Sequence, residues 1–238
     1  MHIRTIPTVE QIRPELIFGR TAIVIDVLRA SSTIVAALHS GFASVVPVET
    51  IEEADALRSP AAILAGERHC EKIAGFDYTN SPADLARAKH TGKQLILTTT
   101  NGTRAMQKVK QAERILVGCF LNATACITKA LALQCDIVLC CAGTRGEFAL
   151  EDGLAAGLMI HIARKHFPTL HTCDASALLE AGYLHIAHEL EARLHTSITG
   201  RRLAKRQHAE DVSLCSRIDY SQIVPIDYEK RILLPAFS

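Results

Sequence analysis

The chain has no tryptophan, and only 5% of its 238 residues are aromatic. It also has no excess of one charge, because 26 lysines and arginines are balanced by 25 aspartates and glutamates. Proteins that bind single-stranded nucleic acid use aromatic platforms in a positively charged groove, and neither feature is indicated here. We therefore expect a small-molecule ligand and no nucleic-acid partner.

Long apolar runs are missing as well. No run approaches the ~18 residues of a membrane-spanning helix, and the residues after Met1 form no apolar leader, so we expect a cytoplasmic protein without a membrane partner. The eight cysteines include no C-x-x-C pair. Most of them are expected to be small buried residues in a reducing compartment, with Cys140 and Cys141 on opposite faces of one strand.

The chain does contain five short apolar runs that each lead into polar residues. The runs and the segments that follow are 22–25 with 26–33, 61–65 with 66–68, 95–97 with 98–104, 115–117 with 118–124, and 137–141 with 142–146. Short β-branched runs bounded by turn residues predict buried strands. Ligands of open α/β sheets bind beyond the carboxyl ends of such strands, so the five segments predict one shared site.

Helix signals alternate with these strands. They predict a three-layer α/β/α fold with a largely parallel or mixed sheet, and residues 1–238 are expected to form a single domain because no linker-like segment divides them. The expected elements are a helix from Ser31 or Ser32 through Leu38, helices starting at Thr50, Ser81, Thr103 and Asn122, helices over 151–166 and 174–195, and a strand at 223–226.

Two strand–helix–strand segments, 22–48 and 115–141, are similar at a constant offset of 93 residues. Thirteen aligned positions from Asp26 onward include five identities. Duplication and chance similarity between two βαβ units both stay open. A true repeat would place Arg29 and Asn122 at equivalent corners, with two helix N-termini converging on one doubly charged ligand.

The segment after the first run gives the strongest signal for an anion site. Asp26 ends a buried strand, and Arg29 offers a planar fork that suits phosphate. Ser31, Ser32 and Thr33 would then open a helix whose free N–H groups favour an anion. The alternative is a structural ion pair between Asp26 and Arg29, with Ser31 as a plain helix cap.

Residues 98–104 give the second signal. Asn101 and Gly102 allow a tight turn, and the hydroxyls of Thr100 and Thr103 flank it. The alternative is a hydroxyl-rich turn in which Thr103 only caps a helix. Gly143 gives a weaker signal, because glycines are common in such loops.

Acidic residues near these loops are candidate metal ligands. Asp26 and Glu67, together with the Glu151–Asp152 pair, offer carboxylates to Mg²⁺, which usually binds one or two of them together with substrate oxygens. For Glu151 and Asp152 the alternative is that acids in a first helical turn complement the helix dipole.

Taken together, these motifs resemble the 2-phosphosulfolactate phosphatase (ComB) family over nearly the whole chain. The matching stretches are 25–33, 66–68, 75–77, 80–82, 99–104, 120–123, 142–143 and 151–152, with weaker matches at 200–201 and 211–212. The resemblance implies Mg²⁺-dependent hydrolysis of a phosphomonoester that releases sulfolactate, on the route to coenzyme M. It also implies an α/β fold unlike the common phosphatase folds.

The expected site follows from the residues and the resemblance together. We expect Asp26, Arg29 and Glu67 to be catalytic and to share one cleft with Asn101 and Asn122. Mg²⁺ would be held by Asp26, Glu67 and Asp152. The expected phosphate- and substrate-binding residues are Ser31, Ser32, Thr33, Arg68, Thr100, Asn101, Gly102, Thr103, Asn122 and Gly143.

Several alternatives stay open at this point. Attack by a metal-bound water and attack by Asp26 itself are both compatible with the residues. The alternative functions are a non-catalytic binder or sensor of phosphorylated or sulfonated small acids, a phosphatase for a different phosphomonoester, and a phosphotransferase. A homo-oligomeric state is also open.

Overall fold

The computed structural model describes residues 1–68, 70–228 and 232–237. Within those ranges the strands are β1 (His2–Ile6), β2 (Thr21–Ile25), β3 (Ser44–Val48), β4 (Ala62–Arg68), β5 (Glu71–Lys72), β6 (Gln94–Thr98), β7 (Arg114–Gly118), β8 (Ile137–Cys141), β9 (His171–Thr172), β10 (Ile223–Tyr228) and β11 (Ile232–Phe237). The helices are α1 (Pro14–Ile17), α2 (Ala30–His39), α3 (Ile51–Ala56), α4 (Pro82–Arg87), α5 (Gly102–Lys108), α6 (Ala123–Ala132), α7 (Leu150–His166), α8 (Asp174–Ile186), α9 (Leu190–Thr196), α10 (Ile198–Lys205) and α11 (Ala209–Cys215).

Two sets of parallel strands make up most of the sheet. One set runs β9-β1-β8-β2-β7, and the other runs β3-β6-β4. The antiparallel hairpin β10–β11 lies between them. It joins β7 through the pair Ile226 and Leu116, and it joins β3 through the pair Leu233 and Val45. The sheet is therefore mixed and mostly parallel, as the alternation of strands and helices predicts.

Alternate residues of β2 show how the layers form. Ile23 and Ile25 pack in one apolar cluster with α6 and α7. Ala22 and Val24 pack in a second cluster with side chains of α2 and α5. Because successive side chains of a strand point to opposite faces, β2 is covered on both sides. The predicted three-layer α/β/α fold is confirmed.

The cysteines follow the same division. Cys140 packs in the cluster with α2, and its neighbour Cys141 packs in the cluster with α6. All eight cysteines are free, and five of them are buried. The prediction of small buried thiols is thus confirmed for most of them.

Several predicted helix starts need correction. α2 begins at Ala30, and the Asp26 carboxylate caps it in place of Ser31 or Ser32. α5 begins at Gly102, before the predicted cap Thr103. The predicted helix over 174–195 is two helices, α8 and α9, separated by a 3-10 turn at Ala187–Glu189.

Other predicted elements are confirmed. The hydroxyl of Thr50 accepts the N–H of Glu53 at the start of α3, and the hydroxyl of Ser81 accepts the N–H of Asp84 at the start of α4. α7 covers 151–166, and β10 covers 223–226. Within the described ranges, no helix has the length and apolar character needed to cross a bilayer.

The 93-residue offset is kept by the bounds of every element in the two similar segments, β2–α2–β3 and β7–α6–β8. The two helices, however, pack mainly in different core clusters. Most apolar side chains of α2 lie in the cluster with Val117 of β7, whereas α6 lies in the cluster with the adjacent Leu116. Because adjacent strand residues face opposite sides, the two helices cover opposite faces of the sheet.

Candidate active site

A cavity of about 320 Å³ opens beyond the carboxyl ends of β2, β4, β6 and β8. Its walls bring together residues from strand-end loops that lie far apart in the chain. Six of them are predicted site residues: Asp26, Arg29, Glu67, Thr100, Asn101 and Gly143. Both sets of parallel strands therefore contribute to one site, as expected for ligand binding at strand ends.

Asp26 holds the turn between β2 and α2. Its Oδ1 accepts the N–H of Ala30 at 3.2 Å, and its own N–H donates to the Ser31 hydroxyl at 2.9 Å. The side chain is only 8% exposed. Burial, with the nearby charges of Glu67 and Glu151, raises the pKa of Asp26 to about 7. A buried carboxyl group at a cavity wall whose pKa lies near neutral pH is typical of a functional site.

Ser31, Ser32 and Thr33 do not line this cavity. Their hydroxyls donate to main-chain carbonyls, Ser31 to Val24, Ser32 to Val27 and Thr33 to Asn80. The first N–H groups of α2 are also occupied, because the side chain and the carbonyl of Asp26 accept from Ala30 and Ser31. The anion cradle predicted at the start of α2 is therefore filled by the chain's own acceptors.

Arg29 is anchored by an acid for which the sequence predicted no role. Its Nη1 donates to Oδ2 of Asp211 at 2.7 Å, and both side chains are almost fully buried. Asp211, on α11, also accepts the Ser81 hydroxyl at 2.6 Å and the Ala83 N–H at 3.1 Å. The alternative of an ion pair between Arg29 and Asp26 is therefore wrong.

The second terminal nitrogen of Arg29 has a different environment. Its Nη2 is buried and has no hydrogen-bond partner among the described residues. A buried guanidinium N–H without an acceptor is costly, and an oxyanion in the cavity would satisfy it. Arg29, which lines the cavity, thus keeps one donor without a partner while Asp211 fixes its orientation.

Glu67 ties β4 to the loop that precedes α5. Its Oε1 accepts the N–H and the hydroxyl of Thr100 at 3.1 and 3.0 Å, and its Oε2 accepts the N–H of Cys70 at 2.7 Å. The neighbouring Arg68 does not line the cavity. Its guanidinium instead donates to the carbonyls of Glu67 and Glu49 and to the hydroxyl of Thr98.

The start of α5 lies very close to the β2–α2 turn. A Cβ at Gly102 would be 2.3 Å from Cβ of Ala30 and 2.7 Å from Oδ2 of Asp26, so a side chain there would force the two loops apart. Thr103 is buried, and its hydroxyl donates to the carbonyl of Thr99 at 2.8 Å. Gly102 and Thr103 therefore position the loop, and Thr100 and Asn101 line the cavity.

The loops after β6 and β8 are joined by Asn101, whose Nδ2 donates to the carbonyl of Gly143 at 3.1 Å. Gly143 has a φ of +68°, and a Cβ there would lie 2.5 Å from the carbonyl oxygen of Glu147. Only glycine adopts this conformation in such close contact without strain. The predicted site glycine is thus required by the backbone of the loop.

Asp152 lies behind the loops, outside the cavity lining. Its Oδ1 accepts the N–H of Val27 at 2.8 Å, and its Oδ2 accepts the N–H of Gly143 at 3.0 Å. Burial, with the charges of Asp26 and Glu151, raises the pKa of Asp152 well above its usual value. The carboxyl group therefore braces two loops of the site instead of opening into it.

The predicted position of Asn122 in the cleft is wrong. The residue is fully buried. Its Oδ1 accepts the N–H of Cys119 at 3.0 Å, and its Nδ2 donates to the carbonyls of Val117 and Ile223 at 3.1 and 3.0 Å. Because these hydrogen bonds occupy its amide group, Asn122 cannot bind an anion at the position equivalent to Arg29, contrary to what the 93-residue offset suggested.

Two of the three predicted magnesium ligands, Asp26 and Glu67, line the cavity. In the part of the chain that the structure describes, no three His, Cys, Asp or Glu side chains are grouped to hold a metal ion. Mg²⁺ does not need such a group, because one or two carboxylates with waters and substrate oxygens suffice. The negative charge of Glu67 contributes to the raised pKa of Asp26, and a cation bound between the two carboxylates would offset this repulsion. The residues present fit Mg²⁺.

Part of the cavity wall was not predicted from the sequence. The further lining residues that bring polar or ionisable side chains are Cys70, Asn80, Thr99, Thr144, Arg145, Thr199 and Arg202. Three buried atoms among them, Oδ1 of Asn80, Oγ1 of Thr199 and Nε of Arg202, have no partner within the described ranges. Asn80 and the α10 residues lie in or next to stretches that matched the family. The site was predicted from the loops that follow strands, and α10 follows no strand, so its residues were not predicted to line the cavity.

A larger cavity of about 590 Å³ lies among β3, α3, α5 and the β10–β11 hairpin. Its walls are largely aliphatic, for example at Val46, Met106 and Leu233. None of the buried polar atoms that lack a partner among the described residues belongs to its lining. The smaller polar cavity is therefore the candidate active site.

Comparison with known proteins gives a consistent result. The family model described as 2-phosphosulpholactate phosphatase matches residues 6–230. A probable 2-phosphosulfolactate phosphatase of Thermotoga petrophila is 39% identical over 206 residues, which cover 87% of this chain and 88% of the relative. Proteins with the same description from Caldanaerobacter subterraneus and Clostridium acetobutylicum are each 37% identical and cover 94% of this chain, with 95% and 97% of the relatives covered.

Proposed function

We propose that this chain, which belongs to the 2-phosphosulfolactate phosphatase family, hydrolyses the phosphomonoester of 2-phosphosulfolactate to sulfolactate and phosphate. The observation that supports the proposal most strongly is the unpartnered Nη2 of Arg29, a residue that lines the same cavity as Asp26 and Glu67. Hydrolysis of a phosphate ester needs cationic donors for the phosphoryl oxygens and a carboxylate that can act as a base, nucleophile or metal ligand near phosphorus. This cavity offers both.

Arg29 would bind the phosphoryl group. Its guanidinium is held by Asp211 at 2.7 Å, so little side-chain freedom is lost when a ligand binds. Charge-assisted hydrogen bonds from arginine to phosphate are among the strongest in proteins. In the 99–101 loop, the N–H and the hydroxyl of Thr100 donate to Glu67, so they would hold that carboxylate beside the ligand instead of donating to the phosphoryl oxygens.

Asp26 and Glu67 would hold Mg²⁺. When bound, the ion would neutralise charge on the phosphoryl oxygens as a Lewis acid. Glu67 already receives three hydrogen bonds, which fix its carboxylate at the wall of the cavity. Asp26 keeps Oδ1 on the Ala30 N–H, and no hydrogen bond to its Oδ2 is found among the described contacts.

Two routes for the chemical step fit this arrangement. In the first, Asp26 accepts a proton from the attacking water, and the ester oxygen leaves with sulfolactate. In the second, an oxygen of Asp26 bonds to phosphorus as the ester bond breaks, and water then releases phosphate from the aspartyl phosphate. The stereochemical course at a chiral phosphoryl group distinguishes them, because one in-line displacement at phosphorus inverts its configuration and two successive displacements restore it.

The direct test is phosphate release from purified protein with 2-phosphosulfolactate and Mg²⁺. We expect turnover that EDTA abolishes and added Mg²⁺ restores, with slower hydrolysis of p-nitrophenyl phosphate. Binding of sulfolactate without phosphate release under any metal condition would instead indicate a sensor. Transfer of phosphate to an added alcohol in place of water would indicate a phosphotransferase.

A further inference from the structure

One wall of the cavity comes from α10, a helix that follows none of the strands. Thr199, Arg202 and Leu203 line the cavity from this helix. Their spacing of three and four residues places them on one helical face. The hydroxyl of Ser197 accepts the N–H of Gly200 and fixes the first turn.

Close packing holds α10 in place. A Cβ at Gly200 would lie 1.9 Å from the carbonyl oxygen of Leu194, so α10 and α9 are in direct backbone contact there. Leu203 is 1% exposed and belongs to the main apolar cluster. The side chains that α10 presents to the cavity are therefore carried by a rigid support.

Arg202 is half-buried and lacks a complete set of partners. Its terminal Nη2 donates to the hydroxyl of Thr144 at 3.0 Å, which orients the guanidinium beside the loop after β8. Its Nε is buried without a hydrogen-bond partner among the described residues. Oγ1 of Thr199, one helical turn earlier, is a second buried polar atom without a partner in that part of the chain.

The charge of Arg202 differs in its environment from that of Arg29. Arg29 forms a buried ion pair with Asp211. Arg202 forms no ion pair with any acid in the described ranges. A half-buried cation, an unsatisfied N–H and an unsatisfied hydroxyl on one helix face are together suited to an oxyanion.

We propose that Arg202 and Thr199 bind the second strong anion of the substrate, which in 2-phosphosulfolactate is the sulfonate. Arg29 then binds the phosphoryl group, and the cavity recognises both anionic groups of a short bifunctional acid. Its volume of about 320 Å³ suits a ligand with a three-carbon skeleton and two bulky anionic groups. This inference rests on the proposed phosphatase function.

The test compares three substrates that differ by one group. They are 2-phosphosulfolactate, 2-phospholactate, which lacks the sulfonate, and 1-sulfopropan-2-yl phosphate, which lacks the carboxylate. Arg202→Gln should lower kcat/KM about 100-fold for both sulfonated substrates, because an unpaired anion would be left in the site. For 2-phospholactate, the change should stay within about threefold because the lost contact is not used.

Arg201→Gln is the matched control. The same change is made one position earlier on the same helix, at an exposed residue outside the cavity lining. All three substrates should keep wild-type kcat/KM in this variant. If Arg202→Gln does not fold, Thr199→Val removes a single hydroxyl at similar volume and should lower kcat/KM selectively for the sulfonated pair.

Each other outcome overturns the assignment. Equal losses on all three substrates would place the phosphoryl group at Arg202, and a loss confined to the two carboxylated substrates would place the carboxylate there. If the wild-type protein hydrolyses none of them, the proposed function fails, and the subsite is then tested with sulfolactate alone. Sulfolactate should raise Tm of the wild-type protein and of Arg201→Gln, and an equal rise for Arg202→Gln would overturn the subsite.

Discussion

The segments β2–α2–β3 and β7–α6–β8 share their element bounds at an offset of 93 residues, yet only the first contributes side chains from its strand–helix turn to the cavity. In the first turn, Asp26 and Arg29 lie at the cavity wall. In the second, the equivalent residues are Cys119 and Asn122, and both are fully buried. The same backbone plan thus supports a reactive turn in one segment and an inert one in the other.

The two turns differ in the hydrogen-bond partners of their polar groups. Asp26 uses one carboxylate oxygen to cap α2, and Arg29 keeps a donor without a partner. Asn122 uses its amide on main-chain groups and on the Cys119 thiol, and burial raises the pKa of that thiol to about 12. A strand-end turn therefore becomes a site only when some of its polar atoms are left without internal partners.

Substitution of Asp26 and of its equivalent, Cys119, should give the largest difference in activity between the two turns. Asp26→Asn should lower kcat/KM about 1,000-fold, because the carboxylate is lost as a metal ligand and as a base or nucleophile. The fold should survive, since the amide oxygen can still accept the Ala30 N–H. Steady-state phosphate release gives the measurement, and Cys119→Ala at the equivalent position should keep wild-type kinetics. More than a tenth of wild-type activity in Asp26→Asn would remove Asp26 from the reaction.

The next effect concerns stability in the second turn. Asn122→Ala should lower the free energy of unfolding by about 3 kcal/mol, because one N–H and two carbonyls lose their buried partners. Urea unfolding measures this loss, and kcat/KM of the folded fraction should be unchanged. A large loss of activity at unchanged stability would show that the two turns are functionally equivalent after all.

Arg29→Lys should then reduce kcat/KM more than tenfold while Tm stays close to the wild-type value. Lysine keeps the charge but cannot bond Asp211 and a phosphate oxygen with a single planar fork. Near-normal kinetics would assign Arg29 to the ion pair with Asp211 alone. The matched variant Asn122→Asp tests the equivalent corner and should leave KM unchanged.

The smallest effect is a pH dependence carried by the first turn. The folded-state pKa of Asp26 is raised to about 7, so between pH 4 and pH 7 unfolding releases its proton. Rising pH therefore favours the unfolded chain in this window, by about 1 kcal/mol per pH unit at most, and the effect levels off above pH 7. Urea unfolding of metal-free protein in EDTA should show this fall. Asp26→Asn should flatten it, and an unchanged slope would mean that other acids, such as Asp152, cause it.

Much of the site could be predicted because strand ends are local features. A buried run followed by Asp26 or Asn101 is visible in a few residues, and parallel topology brings such ends to one edge. The errors arose where a local signal has two outcomes. Ser31 and Asn122 look like open polar groups in the sequence, and only the fold shows that main-chain partners already satisfy them.

The parts that could not be predicted come from distant segments. Asp211 orients Arg29 across 182 residues, and Arg202 reaches Thr144 across 58. Neither contact follows from the spacing of nearby residues, because both depend on how α10 and α11 pack over the sheet. The fold class was more accessible, since alternating strand and helix signals repeat along the whole chain.

The position of the β10–β11 hairpin has a consequence for how the protein is made. These two strands follow the other described strands in chain order but lie between β7 and β3, in the middle of the sheet. Until residues 223–237 have left the ribosome, β7 and β3 each present an unpaired edge, and such edges recruit strands from other chains. Substitutions that slow hairpin formation should therefore lower the yield of soluble protein far more than the activity of the molecules that do fold.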